Sequence, residues 1–221
     1  MLSETIWTPR PFEPIEFVPT AAQYERAVAR VRQSEKDCLA NTGKKYPNNS
    51  IKDGAGRLPS FIFEEWMAEY YPGTELNQQP PKSKNDPNCY WHNDMRNRWL
   101  FGTVECKCVC CSGKPASHFN GHVAAYNTAQ KCDWYAFGRM RYDNKIGWLC
   151  GFIRPKDFYK LAVPMRTGDE DPNSQHPYQA QAACFDLSYG QMIPPPRMDG
   201  PLDAIDPVFL VQEHAHELCC Y

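Results

Sequence analysis

The N-terminal part of the chain carries apolar residues at helical spacing. From Ala21 to about Ala40 the sequence is mostly polar, and Tyr24, Val28 and Val31 form a thin apolar stripe. Intervals of three and four residues are typical of a surface helix that buries one face. We therefore expect a helix here, preceded by a Pro-rich and irregular segment over residues 1–19.

A second and more strongly amphipathic segment runs from Leu58 to Tyr71. Pro59 suits the first turn of a helix, where its missing N–H has no intrahelical partner. Pro72-Gly73 is typical of a helix end. The large apolar residues expected to face inward are Phe61, Trp66 and Tyr70.

Four later segments have the composition of strands. Cys89–Met95 and Arg98–Cys110 form one predicted pair, with Asp94 near the turn between them. Trp134–Tyr142 and Lys145–Ile153 are predicted to form a hairpin, because the intervening Asp143-Asn144 is a favourable turn pair.

Shorter elements complete the prediction. His122 to Gln130 has the pattern of a helix, and Pro155 to Val163 opens with a proline suited to the first helical position. Ala180 to Leu187 is expected to add a strand. Pro207 to Tyr221 is either a short helix docked on the domain or a frayed tail.

The composition fits one domain with extensions. The chain has 221 residues, of which 42 % are apolar, and 20 are prolines. No segment approaches the roughly 20 continuous apolar residues of a membrane helix. The first residues lack the basic and apolar regions of a secretory signal. We therefore expect a soluble cytoplasmic protein with no membrane partner.

A net charge of −2 argues against a protein that coats DNA through its overall charge, since such proteins are usually strongly basic. If the chain binds nucleic acid, the positive charge must be local or come partly from a bound metal. Candidates for a local basic rim, each equally well explained as a scattered surface charge, are Arg96, Arg98, Lys114, Lys131, Arg139 and Arg141.

Eleven cysteines are present, and four of them lie close together at Cys106, Cys108, Cys110 and Cys111. Reduced and mostly buried thiols are the first interpretation, since nothing indicates export to an oxidising compartment. A structural zinc site is the second, because Cys108 and Cys111 have C-x2-C spacing. Ligands that would complete it are Cys89, Cys132 or His118.

The segment from Asp94 to Lys107 carries residues suited to phosphodiester hydrolysis. That reaction uses a metal ion held by carboxylates and a cation that steadies the nucleophile or the developing charge. Side chains alternate along a strand, so Glu105 and Lys107 share one face while Cys106 points into the core. A hairpin places Asp94 beside Glu105, and Glu64 of the preceding helix can reach the same metal.

The E-x-K pattern is weak by itself, because Glu105 and Lys107 equally fit an ion pair on an exposed strand edge. The position of this pattern in the predicted fold favours a catalytic role. Val104 and the alternating residues indicate a partly buried strand, where an unpaired charge is unfavourable. Asp94 precedes it at hairpin distance, and a helix carrying Glu64-Glu65 comes before that.

This order of motifs resembles the PD-(D/E)xK nuclease superfamily, and within it a group of uncharacterised phage-type members. The similarity covers roughly residues 46–190. It includes a loop from Asn49 to Gly56, the helix with its Glu, the E-x-K strand, a helix at Val123–Asp133 and a hairpin. It implies an α/β fold with a restriction-endonuclease-like αβββαβ core, a mixed central sheet flanked by helices.

The resemblance implies three regions and a set of site residues. The regions are an N-terminal extension with one helix (1–45), a nuclease core (46–165) and a Pro-rich C-terminal extension (166–221). Asp94, Glu105 and Glu64 become ligands of Mg²⁺ or Mn²⁺, and Lys107 becomes the catalytic cation. Asn127 and Gln130 become polar groups near the site or the DNA, with solvated surface residues as the alternative.

Several positions depart from the pattern of the superfamily, and around the helix Glu the small residues are replaced by Pro59 and Phe63. Asn93, not Pro, precedes Asp94. The helix offers both Glu64 and Glu65, of which we favour Glu64 because it directly follows Phe61-Ile62-Phe63. Histidines add little: His118 and His122 are four apart, but H-x3-H alone is weak support for a metal site. His92 either touches the site or lies on the surface.

The expected function is metal-dependent hydrolysis of phosphodiester bonds in DNA, with Lys107 assisting the attacking water. Many such nucleases dimerise to cut both strands, so a homodimer is one expectation, and a phage-encoded protein would act in the host cytoplasm. Two other functions stay open. One is a non-catalytic module that binds nucleic acid or protein on the same fold, and the other is a zinc-stabilised structural protein built on the cysteine cluster.

Overall fold

The structure of the chain is a computed structural model that describes residues 11–43, 57–82, 86, 88–90, 93–97, 102–127, 130–171, 180 and 182–198. Within them the protein is mixed α/β with three α-helices and a curled mixed sheet, so the general fold class predicted from the sequence is confirmed. Several predicted features lie outside the described residues: the loop 49–56, His92, Arg98 and the segment 207–221.

The helices are α1 (Ala21–Thr42), α2 (Arg57–Tyr70) and α3 (Pro155–Leu161). None of the described helices is both long enough and apolar enough to cross a bilayer. Short 3₁₀ turns occupy Ala125–Asn127 and Tyr189–Gln191. The strands are β1 (Ile15–Phe17), β2 (Thr74–Leu76), β3 (Met95–Asn97), β4 (Gly102–Cys111), β5 (Asn120–Ala124), β6 (Trp134–Arg141), β7 (Gly147–Ile153), β8 (Val163–Met165) and β9 (Cys184–Ser188).

A six-stranded mixed sheet forms the centre, with strand order β1-β7-β6-β4-β3-β2. Its middle pair, β4 and β6, is parallel and runs from Val104 opposite Trp134 to Cys111 opposite Arg141. The other neighbouring strands are antiparallel. Parallel neighbours need a long crossover connection, which residues 112–133 supply.

This crossover contains a strand where the sequence predicted a helix. Asn120–Ala124 forms β5 and a 3₁₀ turn follows, so the predicted helix at His122–Gln130 is wrong. β5 pairs with β9 in a second, three-stranded sheet of order β5-β9-β8. Gly121 permits the close packing of β5, because a Cβ there would overlap the ring of Phe137 on β6.

Helices α1 and α2 pack together on one face of the main sheet. α1 begins after Thr20, whose hydroxyl accepts the Gln23 N–H in a capping box, and ends at Gly43 with a φ of 67°. Its buried face differs from the predicted stripe, since Tyr24 is 38 % exposed. The residues that α1 buries are Gln23, Ala27, Val31, Ser34 and Cys38.

Aromatic side chains bring α2 close to the sheet. The ring of Phe63 stacks with Phe17 and Trp66 at centroid distances of 6.0 and 6.3 Å. The same ring lies over Gly138 of β6, where a Cβ would come within 2.8 Å of it. Phe61 and Trp66 are buried, as the amphipathic pattern predicts.

Strands β6 and β7 form the predicted hairpin. Asn144 in its loop has a φ of 56°, a left-handed conformation that Asn tolerates better than most residues. Nearly every residue of the two strands is buried. The reason is that α1 and α2 cover one face, while β5, β9 and α3 cover the other.

Of the strand predicted at Cys89–Met95, the described residues 89, 90, 93 and 94 lie outside any strand, and only Met95 belongs to one. Residues 88–90 form a turn, and the described strand is the short β3, which pairs with β2 and β4. Loop contacts hold the preceding chain instead: the Asn77 side chain donates to the Asn93 carbonyl at 3.1 Å. Asp94 therefore stands at the start of β3. At the other end of the chain, β9 confirms the strand predicted within Ala180–Leu187.

Candidate functional site

Asp94 and Glu105 come together where β3 meets β4. The Asp94 N–H donates to the Val104 carbonyl at 2.9 Å, and Asp94 Oδ2 accepts the Cys106 N–H at 2.7 Å. Asp94 is thus fixed by the backbone on both sides of Glu105. Both carboxylates are buried.

Glu105 and Lys107 point to the same face of β4, as strand alternation predicts. Lys107 Nζ donates to Glu105 Oε1 at 2.7 Å and to Gln130 Oε1 at 2.6 Å. It also lies 5.6 Å from the centre of the Tyr135 ring. Gln130 Nε2 closes the triangle through a short hydrogen bond to Glu105 Oε1. Gln130 therefore contacts both Glu105 and Lys107, and it does so from an irregular segment and not from the predicted helix.

α2 adds two buried carboxylates that α1 neutralises. Arg30 Nη2 donates to Glu64 Oε2 at 2.6 Å, and Arg26 Nε donates to Glu65 Oε2 at 2.6 Å. The Arg30 guanidinium is largely buried and lies 4.5 Å from the centre of the Phe61 ring. Arg30 is a residue of this site that sequence reasoning missed. Its only signal was the four-residue spacing of two arginines on one helix, opposite a helix with two adjacent glutamates.

Two of the buried carboxyls, those of Glu64 and Asp94, have a raised pKa. Burial, opposed by Arg30 and reinforced by Glu105 and Glu65, raises the pKa of Glu64 to about 7. Burial also raises the pKa of Asp94 well above its usual range, and Glu105 and then Glu64 add to the effect. Asp94 therefore lies within electrostatic range of both other carboxylates. Glu65 is the alternative carboxylate of α2, and it pairs with Arg26 at 2.6 Å and with Arg30 Nη1 at 3.5 Å.

Lys107 is a permanent cation in this environment. Burial lowers its pKa, but the charge and hydrogen bond of Glu105, together with the charge of Asp94, act against burial, and the net pKa is raised. Its Nζ is therefore protonated at neutral pH. This side chain can donate hydrogen bonds and stabilise negative charge, but it cannot accept a proton.

One carboxylate oxygen at this place is unsatisfied. Glu105 Oε2 is buried and has no hydrogen-bond partner within the described ranges. When Glu64, Asp94 and Glu105 are ionised, Arg30 and Lys107 balance two of the three charges. A divalent cation would supply the missing partner and would more than offset the one remaining negative charge, and oxygen donors suit Mg²⁺. We call Glu64, Asp94, Glu105 and Lys107 the carboxylate site.

The three carboxylates do not all lie within ligand distance of one another. In the part of the chain that the structure describes, the group of three metal-ligating side chains with all ligand atoms within 4.8 Å is His122, Cys184 and Asp186. Arg30 and Lys107 hold Glu64 and Glu105 in ion pairs. Binding of one ion by all three carboxylates therefore requires side-chain movement.

The cysteines of β4 lie on different faces of the sheet. Cys106 is buried beneath α2, with its Sγ 3.9 Å from Met67 Sδ, which confirms its predicted place in the core. Cys108 packs against the same core, whereas Cys111 belongs to the core on the other face of the sheet, which β5, β9 and α3 cover. Residues three apart on a strand point to opposite faces. The C-x2-C pair consequently does not present two sulfurs to one site.

The remaining predicted residues have varied surroundings. Arg139 is buried and donates to the Tyr189 hydroxyl at 2.9 Å, so its predicted place in a basic rim is wrong. Arg141 pairs with Asp143 in the hairpin loop. Asn127 lies in the 3₁₀ turn, where its carbonyl accepts the Gln130 N–H at 3.0 Å. The residues exposed to solvent are Arg96, Lys114 and Lys131.

No protein-family model, no curated protein and no solved structure matches the chain. The geometry and chemistry of the described residues are therefore the grounds on which a function is proposed.

Proposed function

We propose that the chain is a Mg²⁺-dependent nuclease of the PD-(D/E)xK type that hydrolyses phosphodiester bonds in DNA. The observation that carries the proposal is the buried and unpartnered Oε2 of Glu105, next to Asp94 and on the same carboxylate whose Oε1 lies 2.7 Å from Lys107. Acidic metal ligands beside a lysine are the groups that metal-assisted phosphodiester hydrolysis uses.

The fold around the site supports the proposal in part. α2 precedes the antiparallel pair β3 and β4, and β4 pairs in parallel with β6. We propose a restriction-endonuclease-like core on this ground. It departs from αβββαβ order between β4 and β6, where the described residues form β5 and a 3₁₀ turn instead of a helix.

Asp94, Glu105 and Glu64 are the residues proposed to hold Mg²⁺ or Mn²⁺, which take the same oxygen ligands. When bound, such an ion polarises the phosphate and lowers the pKa of a water. Glu64 becomes a ligand when its carboxyl loses its proton, which a pKa of about 7 allows near neutral pH. Arg30 positions Glu64 for this role.

Lys107 is proposed to orient the attacking water and to stabilise the negative charge that develops on the phosphate. An ammonium has three N–H donors, and the described contacts use two of them, to Glu105 and Gln130. The third is then directed at a substrate oxygen. Gln130 and the ring of Tyr135 keep the ammonium in place.

Cleavage of supercoiled plasmid in Mg²⁺ or Mn²⁺ tests the proposal. Asp94→Asn and Lys107→Met are expected to lower the rate by about 10²–10⁴-fold, because each removes a group that acts in the transition state. Lys156→Met, at an exposed position of α3, is the matched control and should retain full activity. Circular dichroism checks that each variant is folded. Wild-type rates in both site variants would rule the proposal out.

A non-catalytic module on the same fold is the second candidate. The ion pairs Arg30–Glu64 and Lys107–Glu105 favour it, since they neutralise two carboxylates without a metal. This candidate predicts that a DNA duplex binds equally well to the wild type and to Asp94→Asn and is never cleaved. A gel-shift assay run beside the plasmid assay separates the two functions.

A further inference from the structure

The three-stranded sheet carries a cluster of metal-ligating side chains outside the carboxylate site. His122 of β5 is paired with Asp186 of β9, and Cys184 lies two residues before Asp186 on the same strand face. His122 Nδ1 is 2.6 Å from Asp186 Oδ1, and Cys184 Sγ is 3.4 Å from that same oxygen. We call these three residues the β5–β9 site.

The carboxylate of Asp186 has an unsatisfied oxygen. Asp186 is 4 % exposed, and its Oδ2 is buried without a hydrogen-bond partner in the described segments. Leaving a carboxylate oxygen buried and unpaired is unfavourable. Cys184 is also buried, while 17 % of the His122 side chain is exposed. An ion that reaches the site past His122 would meet a nitrogen, a sulfur and an oxygen donor within 4.8 Å of one another.

These donors select one class of ion. An imidazole nitrogen, a thiolate and a carboxylate together suit Zn²⁺ and its transition-metal neighbours, whereas Mg²⁺ prefers oxygen ligands alone. Three protein ligands fill three positions of a tetrahedral ion and leave the fourth for water. The β5–β9 site and the carboxylate site therefore differ in the metal they suit.

A nucleophilic cysteine is the other chemistry for which a Cys, a His and an Asp are used. In that arrangement the sulfur contacts one imidazole nitrogen, which takes the thiol proton, and the carboxylate holds the other nitrogen. Here the sulfur of Cys184 and Nδ1 of His122 both contact Asp186 Oδ1. The carboxylate lies between the two, which fits ligands around an ion and not a catalytic triad.

We propose that His122, Cys184 and Asp186 bind one Zn²⁺-class ion that fastens β9 to β5. On binding, the sulfur exchanges its proton for the metal and the proton passes to solvent. β9 leads directly to Tyr189, whose hydroxyl accepts a hydrogen bond from Arg139 of β6 at 2.9 Å. The ion would therefore hold β9 in place over the hydrophobic core that contains Phe137, Phe158 and Leu187. The site stands independently of the proposed nuclease activity.

Zinc titration of the full chain tests the proposal. The wild type should bind one zinc ion per chain after removal of metal with a chelator. Cys184→Ser and His122→Gln should weaken zinc binding at least about 100-fold, because even groups behind a ligand change metal affinity by roughly 10–100-fold. Cys110→Ser, on β4, is the matched control and should bind zinc like the wild type. Asp94→Asn should also leave zinc binding unchanged, whatever its effect on DNA cleavage.

Cobalt gives a direct readout of the sulfur ligand. Co²⁺ bound to a thiolate has a near-ultraviolet charge-transfer band, which should be present in the wild type and in Cys110→Ser and absent in Cys184→Ser. If circular dichroism shows that Cys184→Ser does not fold, zinc affinity of His122→Gln decides the matter. Failure of the wild type to bind either ion overturns the proposal. So does a band that survives Cys184→Ser, or one that disappears in Cys110→Ser.

Discussion

The carboxylate site and the β5–β9 site are both buried, and each contains one carboxylate oxygen without a described partner. They differ in their counter-charges. Arg30 and Lys107 form ion pairs of 2.6 and 2.7 Å with Glu64 and Glu105, whereas Asp186 contacts an imidazole and a thiol. A cluster with fixed cations keeps most of its charge balance when an ion leaves. We therefore expect an exchangeable ion in the carboxylate site and a resident ion in the β5–β9 site.

The largest expected effect separates the two sites by activity. Glu105→Gln keeps the shape of the side chain but removes its charge, and should lower Mg²⁺-dependent plasmid cleavage by about 10²–10⁴-fold. Its zinc content should equal that of the wild type. Glu25→Gln, at an exposed position of α1, is the control for both measurements. If Glu105→Gln lost zinc as well as activity, the two sites would not be independent.

Removal of Arg30 should reveal how strongly the carboxylate site depends on its fixed cations. Arg30→Met leaves Glu64 buried without its counter-charge and should cost about 3–5 kcal/mol of unfolding free energy at pH 8. Arg32→Met, at an exposed position, should change stability by less than about 0.5 kcal/mol. Urea denaturation measures both. The loss should shrink at pH 5, where Glu64 is protonated; an equal loss at both pH values would contradict the pairing.

A smaller effect on stability is expected when the packing of β5 against Phe137 is disturbed. Gly121→Ala places a Cβ against the ring of Phe137 and should destabilise the protein by about 1–3 kcal/mol. Because β5 carries His122, zinc affinity should fall in the same variant. Gly190→Ala is the control, since its Cβ would lie 3.3 Å from the nearest atom. Thermal melts with and without zinc provide the measurement, and a Gly121→Ala chain that binds zinc normally would argue against the predicted coupling.

The pH dependence of Mg²⁺ binding has the smallest expected effect. Glu64 has an ordinary pKa of 4.5 and a raised pKa of about 7 in the folded chain, so the folded state binds a proton more tightly than the unfolded state. The contribution of Glu64 to stability without metal therefore declines as pH rises from about 4.5 to 7. Mg²⁺ must displace this proton, so the Glu64 carboxyl alone should make the affinity for Mg²⁺ rise by about tenfold per pH unit below pH 7, and its contribution should level off above pH 7.

Calorimetric titrations at pH 6, 7 and 8 test this dependence. Glu64→Gln carries no proton that Mg²⁺ must displace, so its binding, although weaker, should change less with pH. The Glu25→Gln chain should follow the wild type. A wild-type affinity that is the same at all three pH values would exclude Glu64 as the group that exchanges a proton on binding.

Local pattern was enough to predict the elements whose contacts are local. The β6–β7 hairpin follows from two apolar runs around Asp143-Asn144, and α2 follows from its amphipathic spacing. The Glu105–Lys107 pair follows in the same way from alternation on a strand. These features depend only on the spacing of apolar and polar positions and on the turn residues, so they can be predicted from a single sequence.

Features that depend on distant pairing could not be predicted in this way. β5 is five residues long, contains Gly121 and has the distant strand β9 as its partner, so its own pattern resembled a helix. His122 and Asp186 are 64 residues apart in sequence, and no motif spacing connects them. The pairing of Arg30 with Glu64 likewise depends on the packing of α1 against α2, which helical periodicity alone does not specify.

The contact between Phe63 and Gly138 bears on the size of ion that the carboxylate site would accept. Asp94 and Glu105 are anchored within the β3–β4 pair, whereas Glu64 moves with α2, and the absence of a side chain at Gly138 lets α2 lie close to the sheet. Gly138→Ala would push α2 and Glu64 outward relative to the strands. Mg²⁺ binds oxygen at about 2.0–2.1 Å and Ca²⁺ at about 2.3–2.6 Å, so a wider site would favour the larger ion. The packing distance between Phe63 and Gly138 would thus determine which ionic radius the carboxylate site prefers.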